Sequence, residues 1–171
     1  MNIIIKYFLN LCLTIIRIGG DNVIIILDLN GTIATDGVIK DSTKEKIKEL
    51  CKNYQIFILS ADTFGTLKYI ERELGVKGIK IDKEKFKSEK IAKNEILKEI
   101  REKYKNEKIV AFGNGANDEL LLKNADLGIC VLGDEGAWTK TLLNADIVVK
   151  DIDNGLDLIL KEKRLKATMR D

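Results

Sequence analysis

Three short polar turns hold the residues best suited to chemistry, and each directly follows an apolar run. Asp28-Leu29-Asn30-Gly31-Thr32 follows Val23–Leu27, Ser60-Ala61-Asp62-Thr63 follows Gln55–Leu59, and Gly113-Asn114-Gly115-Ala116-Asn117-Asp118 follows Ile109–Phe112. A carboxylate at the end of a buried strand is costly unless it is paired or coordinated. Asp28 capping its own turn with Asn30 and Gly31 would account for the first segment alone. A carboxylate, a hydroxyl and a second carboxylate at neighbouring strand ends instead make a polar pocket, which a cation or an anionic ligand would satisfy. The 171 residues include no histidine. That excludes an imidazole base, a phosphohistidine and a His-ligated metal.

The elements that must position these turns follow from the hydrophobic pattern. Val23–Leu27 (VIIIL) is a continuous apolar run, as expected of a strand buried on both faces. Ser42 to Cys51 has a helix-start pattern, with Ser42 as cap, Glu45 three residues on, and Ile47 and Leu50 on one face. Strand Gln55–Leu59, helix Phe64–Leu74, strand Gly78–Ile81 and a long helix from Ser88 to Tyr104 follow. Strand Ile109–Phe112, helix Asn117–Lys123, strand Leu127–Val131, helix Glu135–Asn144, strand Ile147–Val149 and helix Ile152–Lys163 complete the alternation. The rhythm predicts an α/β fold with a mostly parallel central sheet, right-handed crossovers and helices on both faces. Ligands of such folds lie beyond the carboxyl ends of the strands, where the three turns fall.

Composition sets the outer bounds. The length suits one domain, and 45% hydrophobic with 33% charged residues is an ordinary globular balance. With 29 basic and 27 acidic side chains the formal charge is +2, which gives no reason to expect nucleic acid as a partner. Cys12, Cys51 and Cys130 are odd in number and widely spaced, so they read as reduced thiols in a cytoplasmic protein. Proline is absent, so turns fall to Gly, Asn and Asp. Residues 1–20 form an apolar N-terminal extension, with Leu11–Ile18 expected as an added strand. Its apolar run, Ile3–Ile18, is interrupted by Lys6, Asn10 and Arg17 and is shorter than a membrane span needs. A membrane-surface role is the alternative for this segment, and residues 21–171 are expected to form a single domain.

The three turns, with a fourth segment, resemble the motifs of the haloacid dehalogenase (HAD) superfamily. Asp28-Leu29-Asn30-Gly31-Thr32 is similar to its first motif, DxDxT, and more particularly to the DKTGT of P-type ATPases. Ile58–Asp62 (ILSAD) resembles the second, a strand ending in Ser or Thr. Ala92–Leu97 (AKNEIL) resembles the region of the family lysine, with Lys93 in place and Lys90 one turn earlier as the alternative. Gly113–Asp118 (GNGAND) resembles the fourth, GDGxND. The four occur in order, and Asn114 follows Lys93 by 21 positions, room for a helix and a return strand.

The resemblance implies an HAD-like Rossmannoid fold and an Mg²⁺-dependent phosphohydrolase or phosphotransferase. Asp28 would be the nucleophile that forms an aspartyl-phosphate. Asp28, the carbonyl of Asn30, Asn114 and Asp118 would serve the metal, with Asp118 either behind the metal or holding Lys93. Thr32, Ser60 and Asn117 would contact phosphate, and Lys93 would neutralise charge on the transferring group. The nine residues between Thr32 and Ser42 and the thirty between Asp62 and Lys93 leave no room for a cap domain or a pump's nucleotide-binding domain. The likeness is therefore to free-standing P-type-ATPase-like phosphatases, with an open site that an oligomer partner could close. A phosphorylated small molecule or a phosphoprotein would be the substrate.

Two positions depart from the family pattern. Asn30 stands where ordinary members carry an acid–base Asp, and an amide can neither protonate a leaving oxygen nor deprotonate water. Alkyl phosphates should then be poor substrates, and acyl, aryl or nucleoside phosphates better ones. Asn114 stands where a metal-binding Asp is usual, which removes one negative charge. The same two amides motivate a second reading, a non-catalytic Mg²⁺- and phosphate-binding regulatory module. Trp138, with Leu142 one turn on, is expected in the core or in helix–helix packing, Asp134-Glu135 to start a helix, Asp36 to be a loop charge, and the basic residues from Lys161 to Arg170 to be a solvated helix end.

Overall fold

The structure, a computed structural model, describes residues 23–62, 65–82 and 84–170. Among the described residues, six strands form one sheet in the order β3-β2-β1-β4-β5-β6, and every neighbouring pair is parallel. They are β1 (Val23–Asp28), β2 (Gln55–Ser60), β3 (Lys77–Lys80), β4 (Lys108–Gly113), β5 (Leu127–Val131) and β6 (Ile147–Val149). The helices are α1 (Asp41–Leu50), α2 (Leu67–Leu74), α3 (Glu89–Lys103), α4 (Glu119–Asn124), α5 (Thr139–Leu143), α6 (Ile152–Leu160) and α7 (Glu162–Thr168). A 3₁₀ turn, Ala116–Asp118, precedes α4.

Strand β1 is buried along its whole length because both of its faces are covered. Val23, Ile25 and Leu27 join a cluster with Ile47 and Leu50 of α1, Ile70 and Leu74 of α2, and Leu156 and Leu165 of α6 and α7. Ile24 and Ile26 face the other way, toward Ala92, Ile96, Leu97 and Ile100 of α3 and Leu121 and Leu122 of α4. Each fully buried isoleucine contributes roughly 1.5–3 kcal/mol by leaving water, which explains the unbroken apolar run. From β1 the chain moves outward to β2 and β3, then returns to the other side of β1 for β4. The reversal puts a crevice at the carboxyl ends of β1, β2 and β4, where the three polar turns lie.

Several expected boundaries shift, each for a local reason. The first described helix starts at Asp41 rather than after a Ser42 cap; Lys40 flanks it and no side chain caps it. The helix expected from Phe64 starts at Leu67, where Asp62 Oδ1 accepts the Leu67 amide at 3.0 Å. The expected helix Glu135–Asn144 contracts to Thr139–Leu143, since Gly133 (φ 54°) and Gly136 (φ 76°) take left-handed backbone that no helix tolerates. Trp138 is 51% exposed rather than core, because its amide is drawn to the Asn114 carbonyl at 2.8 Å. The helix expected over Ile152–Lys163 breaks at Lys161 into α6 and α7. Cys130 is buried and Cys51 half-buried, both free thiols. The added strand expected over Leu11–Ile18 lies outside the described residues. Among the described residues, no helix is long and apolar enough to cross a membrane.

The basic end of the chain is exposed at Lys161, Lys163, Arg164 and Arg170, as expected of a solvated helix end, yet two of its charges are paired. Lys161 and Arg164 both meet Asp157 Oδ2, at 2.7 and 2.9 Å, while Lys46 reaches Asp157 Oδ1 from α1 at 3.0 Å. Burial alone would raise the Asp157 carboxyl, but hydrogen bonds from Lys161 and Lys46 hold it below the ordinary aspartate range. A depressed carboxyl stabilises the fold above its unfolded pKa and loses that contribution as pH falls through its lower folded value. We expect Asp157→Asn to cost roughly 1–2 kcal/mol at pH 7, with the difference fading under acid conditions. Denaturant unfolding of both proteins across a pH series checks this, and a pH-independent gap would contradict it.

Candidate active site

The loop after β1 is wound tightly by its own backbone. The Leu29 carbonyl accepts the amides of Ile33 and Ala34 at 3.1 and 2.9 Å, and the Gly31 amide donates to the Ala34 carbonyl at 2.8 Å. This winding needs left-handed backbone at Gly31 (φ 78°). It turns Thr32 back onto the strand end, where its hydroxyl lies 3.0 Å from Asp28 Oδ2 and 3.1 Å from Asn114 Oδ1. Beyond it, Thr35 and Val38 pair across Asp36-Gly37, both with positive φ, in a two-residue hairpin. Asn30 is solvent-exposed.

Helix α3 delivers the cation. The Ser88 side chain caps its first turn by accepting the Ile91 amide, and Lys93 follows one turn in, fully buried. Lys93 Nζ lies 2.5 Å from Asp28 Oδ1 and 2.5 Å from Asp118 Oδ1. The other Asp118 oxygen accepts the amides of Asn114 and Gly115, each at 3.0 Å. Gly113 makes room for this arrangement, since a Cβ there would come within 2.5 Å of Asp118. Between the two lysines considered, the structure brings Lys93 to the centre; Lys90 pairs at 2.7 Å with Glu119 instead.

One ammonium between two buried carboxylates leaves the centre with a net negative charge. Burial, with the Asp118 charge adding to it, pushes the Asp28 carboxyl up to about 6 against the pull of Lys93. Burial would lower the Lys93 ammonium, but the carboxylates of Asp118 and Asp28 hold it above the ordinary lysine range. The balance calls for a further positive charge.

The residues present fit a hard divalent cation. Asp28 Oδ2 and Asn114 Oδ1 both face the single Thr32 hydroxyl proton, so one of the two acceptors is left short of a donor. The Asn114 amide is oriented by its Nδ2 donating to the Gly136 carbonyl at 2.9 Å, with its oxygen toward the Thr32 hydroxyl. These are oxygen donors only, the set that suits Mg²⁺. Asp118 is already committed to Lys93 and two amides, so it is placed to position the centre.

The remaining sequence candidates divide. Ser60 is buried on the strand next to Asp28, and its Oγ accepts the Asp62 amide at 2.9 Å, leaving its proton to offer. Asn117 is not drawn to Asp28; its amide donates to Glu89 Oε2 at 3.0 Å. Sequence reasoning gave Glu135 only the start of a helix. Its Oε1 accepts the Asp36 amide at 3.2 Å, and a Cβ at Gly31 would meet both Glu135 Oε2 and the Asn114 amide within 3.0 Å. The signal that could have exposed it is Gly133 and Gly136, two breakers flanking an acidic pair.

A parallel sheet with a lysine bridging two strand-end carboxylates defines a class of site, and comparison with known proteins gives the family. The model of haloacid dehalogenase-like hydrolases matches residues 18–126, and the chain belongs to this family of hydrolases. An uncharacterized protein of Methanocaldococcus jannaschii, MJ0073, is 68% identical over 93 residues, which is 54% of this chain and all of that protein. A copper-exporting P-type ATPase of Staphylococcus aureus is 30% identical over 147 residues, 83% of this chain but 16% of the pump. The fold also matches 3-deoxy-D-manno-octulosonate 8-phosphate phosphatase of Moraxella catarrhalis. That structure contains magnesium, phosphate and KDO; the TM-score is 0.64 at 15% identity, over 92% of this chain and 98% of that one.

Removing Lys93 would leave two buried carboxylates facing each other. Lys93→Met is expected to cost about 3–5 kcal/mol, far more than the loss of an exposed lysine. Equilibrium unfolding beside Lys98→Met, a surface pair with Glu95, checks the contrast. Equal losses would show that the central ion pair carries no special weight.

Proposed function

We propose that the chain is an Mg²⁺-dependent phosphohydrolase acting through an aspartyl-phosphate on Asp28, on substrates with good leaving groups. The observation that carries the reading is the buried Lys93 held between Asp28 and Asp118, with Thr32, Asn114 and Ser60 gathered at the same strand ends. Lys93 and Thr32 fix the Asp28 carboxylate, so that one of its oxygens meets phosphorus along a single approach. As the new P–O bond forms, the bond to the leaving oxygen breaks and that oxygen departs with the electron pair. The Ser60 proton and the Lys93 charge would stabilise the phosphoryl oxygens. Attack of water on phosphorus then breaks the bond to the Asp28 oxygen, which leaves with the electron pair as the carboxylate, while the water's proton passes to solvent and inorganic phosphate is released.

Mg²⁺ bound by Asp28, the Asn30 carbonyl and Asn114 would supply charge neutralisation for the phosphoryl group. Asn30 offers no proton, so the leaving group must depart as a stable anion. That favours acyl, aryl or nucleoside phosphates over sugar or serine phosphates. A phosphorylated small molecule suits the open crevice, although a phosphoprotein or closure by a second copy is compatible with it. Membership of a hydrolase family supports turnover over a purely binding module.

Hydrolysis of p-nitrophenyl phosphate with Mg²⁺ should be lost in Asp28→Asn, and equal rates in the two proteins would end this reading. On alkyl phosphomonoesters, Asn30→Asp should raise the rate, by up to the roughly 10²- to 10⁴-fold that general acid–base help is worth. A folded Asn30→Asp protein that gains nothing would refute the leaving-group argument.

A further inference from the structure

The centre lacks negative charge at two places, Asn30 and Asn114, yet a carboxylate from elsewhere in the chain stands beside one of them. The loop from Leu132 to Trp138 crosses the start of the Gly31 loop, with the Trp138 amide tied to the Asn114 carbonyl at 2.8 Å. Glu135, at the middle of this crossing, is anchored by the Asp36 amide on Oε1. Its other oxygen, Oε2, lies 2.9 Å from the point where a Gly31 Cβ would stand, and Asn114 Oδ1 lies 3.0 Å from the same point. Asn114 Nδ2 lies 2.7 Å from that point, and the two oxygens are less than about 6 Å apart, a gap that a divalent cation keeping its waters can bridge through one of them. Only the missing side chain of Gly31 keeps them from being screened from each other. Its neighbour Asp134 is engaged elsewhere, with Lys40 at 3.5 Å.

We propose that Glu135 supplies the divalent-cation site with the carboxylate that Asn114 withholds. The inference rests on the Mg²⁺-dependent reading above and adds to it a residue outside the motif turns. With Glu135 counted, two buried carboxylates and one exposed carboxylate face a single lysine, so one divalent cation brings the site to neutrality. The Asp36 anchor also couples the hairpin after β1 to cation binding, since it holds the carboxylate in place from the hairpin's tip.

Mg²⁺ titration by calorimetry, without any phosphate, tests the proposal on the unmodified chain, Glu135→Gln and Asp134→Asn. Both variants lose one negative charge within one residue of each other, and both positions are exposed, so folding is spared. Glu135→Gln should weaken Mg²⁺ binding about 10-fold or more, while Asp134→Asn changes it little. Adding Asn114→Asp to Glu135→Gln should restore the affinity. Unchanged binding in Glu135→Gln overturns the proposal, as do equal losses in the two single variants or no Mg²⁺ binding by the unmodified chain. Turnover of p-nitrophenyl phosphate by the unmodified chain separates this inference from the functional reading. A chain that turns over while its Mg²⁺ affinity ignores Glu135 refutes the inference alone. Glu135-dependent binding without turnover refutes the function alone.

Discussion

Two carboxylates that share a buried site need a cation between them, and Lys93 is that cation. Asp28 is 4% exposed, Asp118 and Lys93 not at all, so water can stabilise none of these charges. Three distant pieces of chain must therefore meet: the end of β1, the first turns of α3 and the 3₁₀ turn after β4. That requirement constrains the architecture around it. Helix α3 has to lie across β1 and β4 with Lys93 aimed at the sheet end, and its Ala92, Ile96, Leu97 and Ile100 supply the apolar contact that holds it there. Gly113 and the two amides on Asp118 then lock the third member.

The parallel sheet decides where such a triad can sit. In parallel strands, successive crossovers bring all carboxyl ends to one edge, and the reversal beside β1 opens that edge between β1 and β4. Ser60 arrives there simply as the next residue beyond the Asp28–Leu59 pairing. Thr32 arrives by a different route, through the Leu29 carbonyl that accepts two amides and the left-handed Gly31. Sheet geometry thus places one hydroxyl and loop geometry the other, both at the same strand ends.

Residues with one dominant local cause were legible in the sequence. VIIIL reads as a strand buried on both sides because no other element accepts such a run, and the polar turns stand out because they follow apolar strands. Lys93 was legible only through the family's motif order, since nothing local distinguishes it from Lys90. The missed features all depend on competition between local and long-range bonds. Residues from Glu135 carry helix-compatible side chains, but the Asn114 carbonyl captures the Trp138 amide and two glycines take φ values a helix rejects. Ser42 has the right chemistry for a cap, but the helix starts before it, so Ser42 is already inside the first turn and no side chain caps the helix.

The division between buried floor and exposed rim bears on how such a site can change over time. Asp28, Lys93 and Asp118 are bound to one another, so altering any one leaves a charge stranded, and the penalty falls on folding before it falls on chemistry. Asn30 has no such tie; it is exposed, and exchanging amide for carboxylate there disturbs no buried pair. Glu135 is similar, held by a single backbone amide at the surface. Charge can therefore move from position to position around the rim while the floor stays constant. Exchanging carboxylate for amide at an exposed position such as Asn30 alters the charge of the rim without altering the fold that presents it.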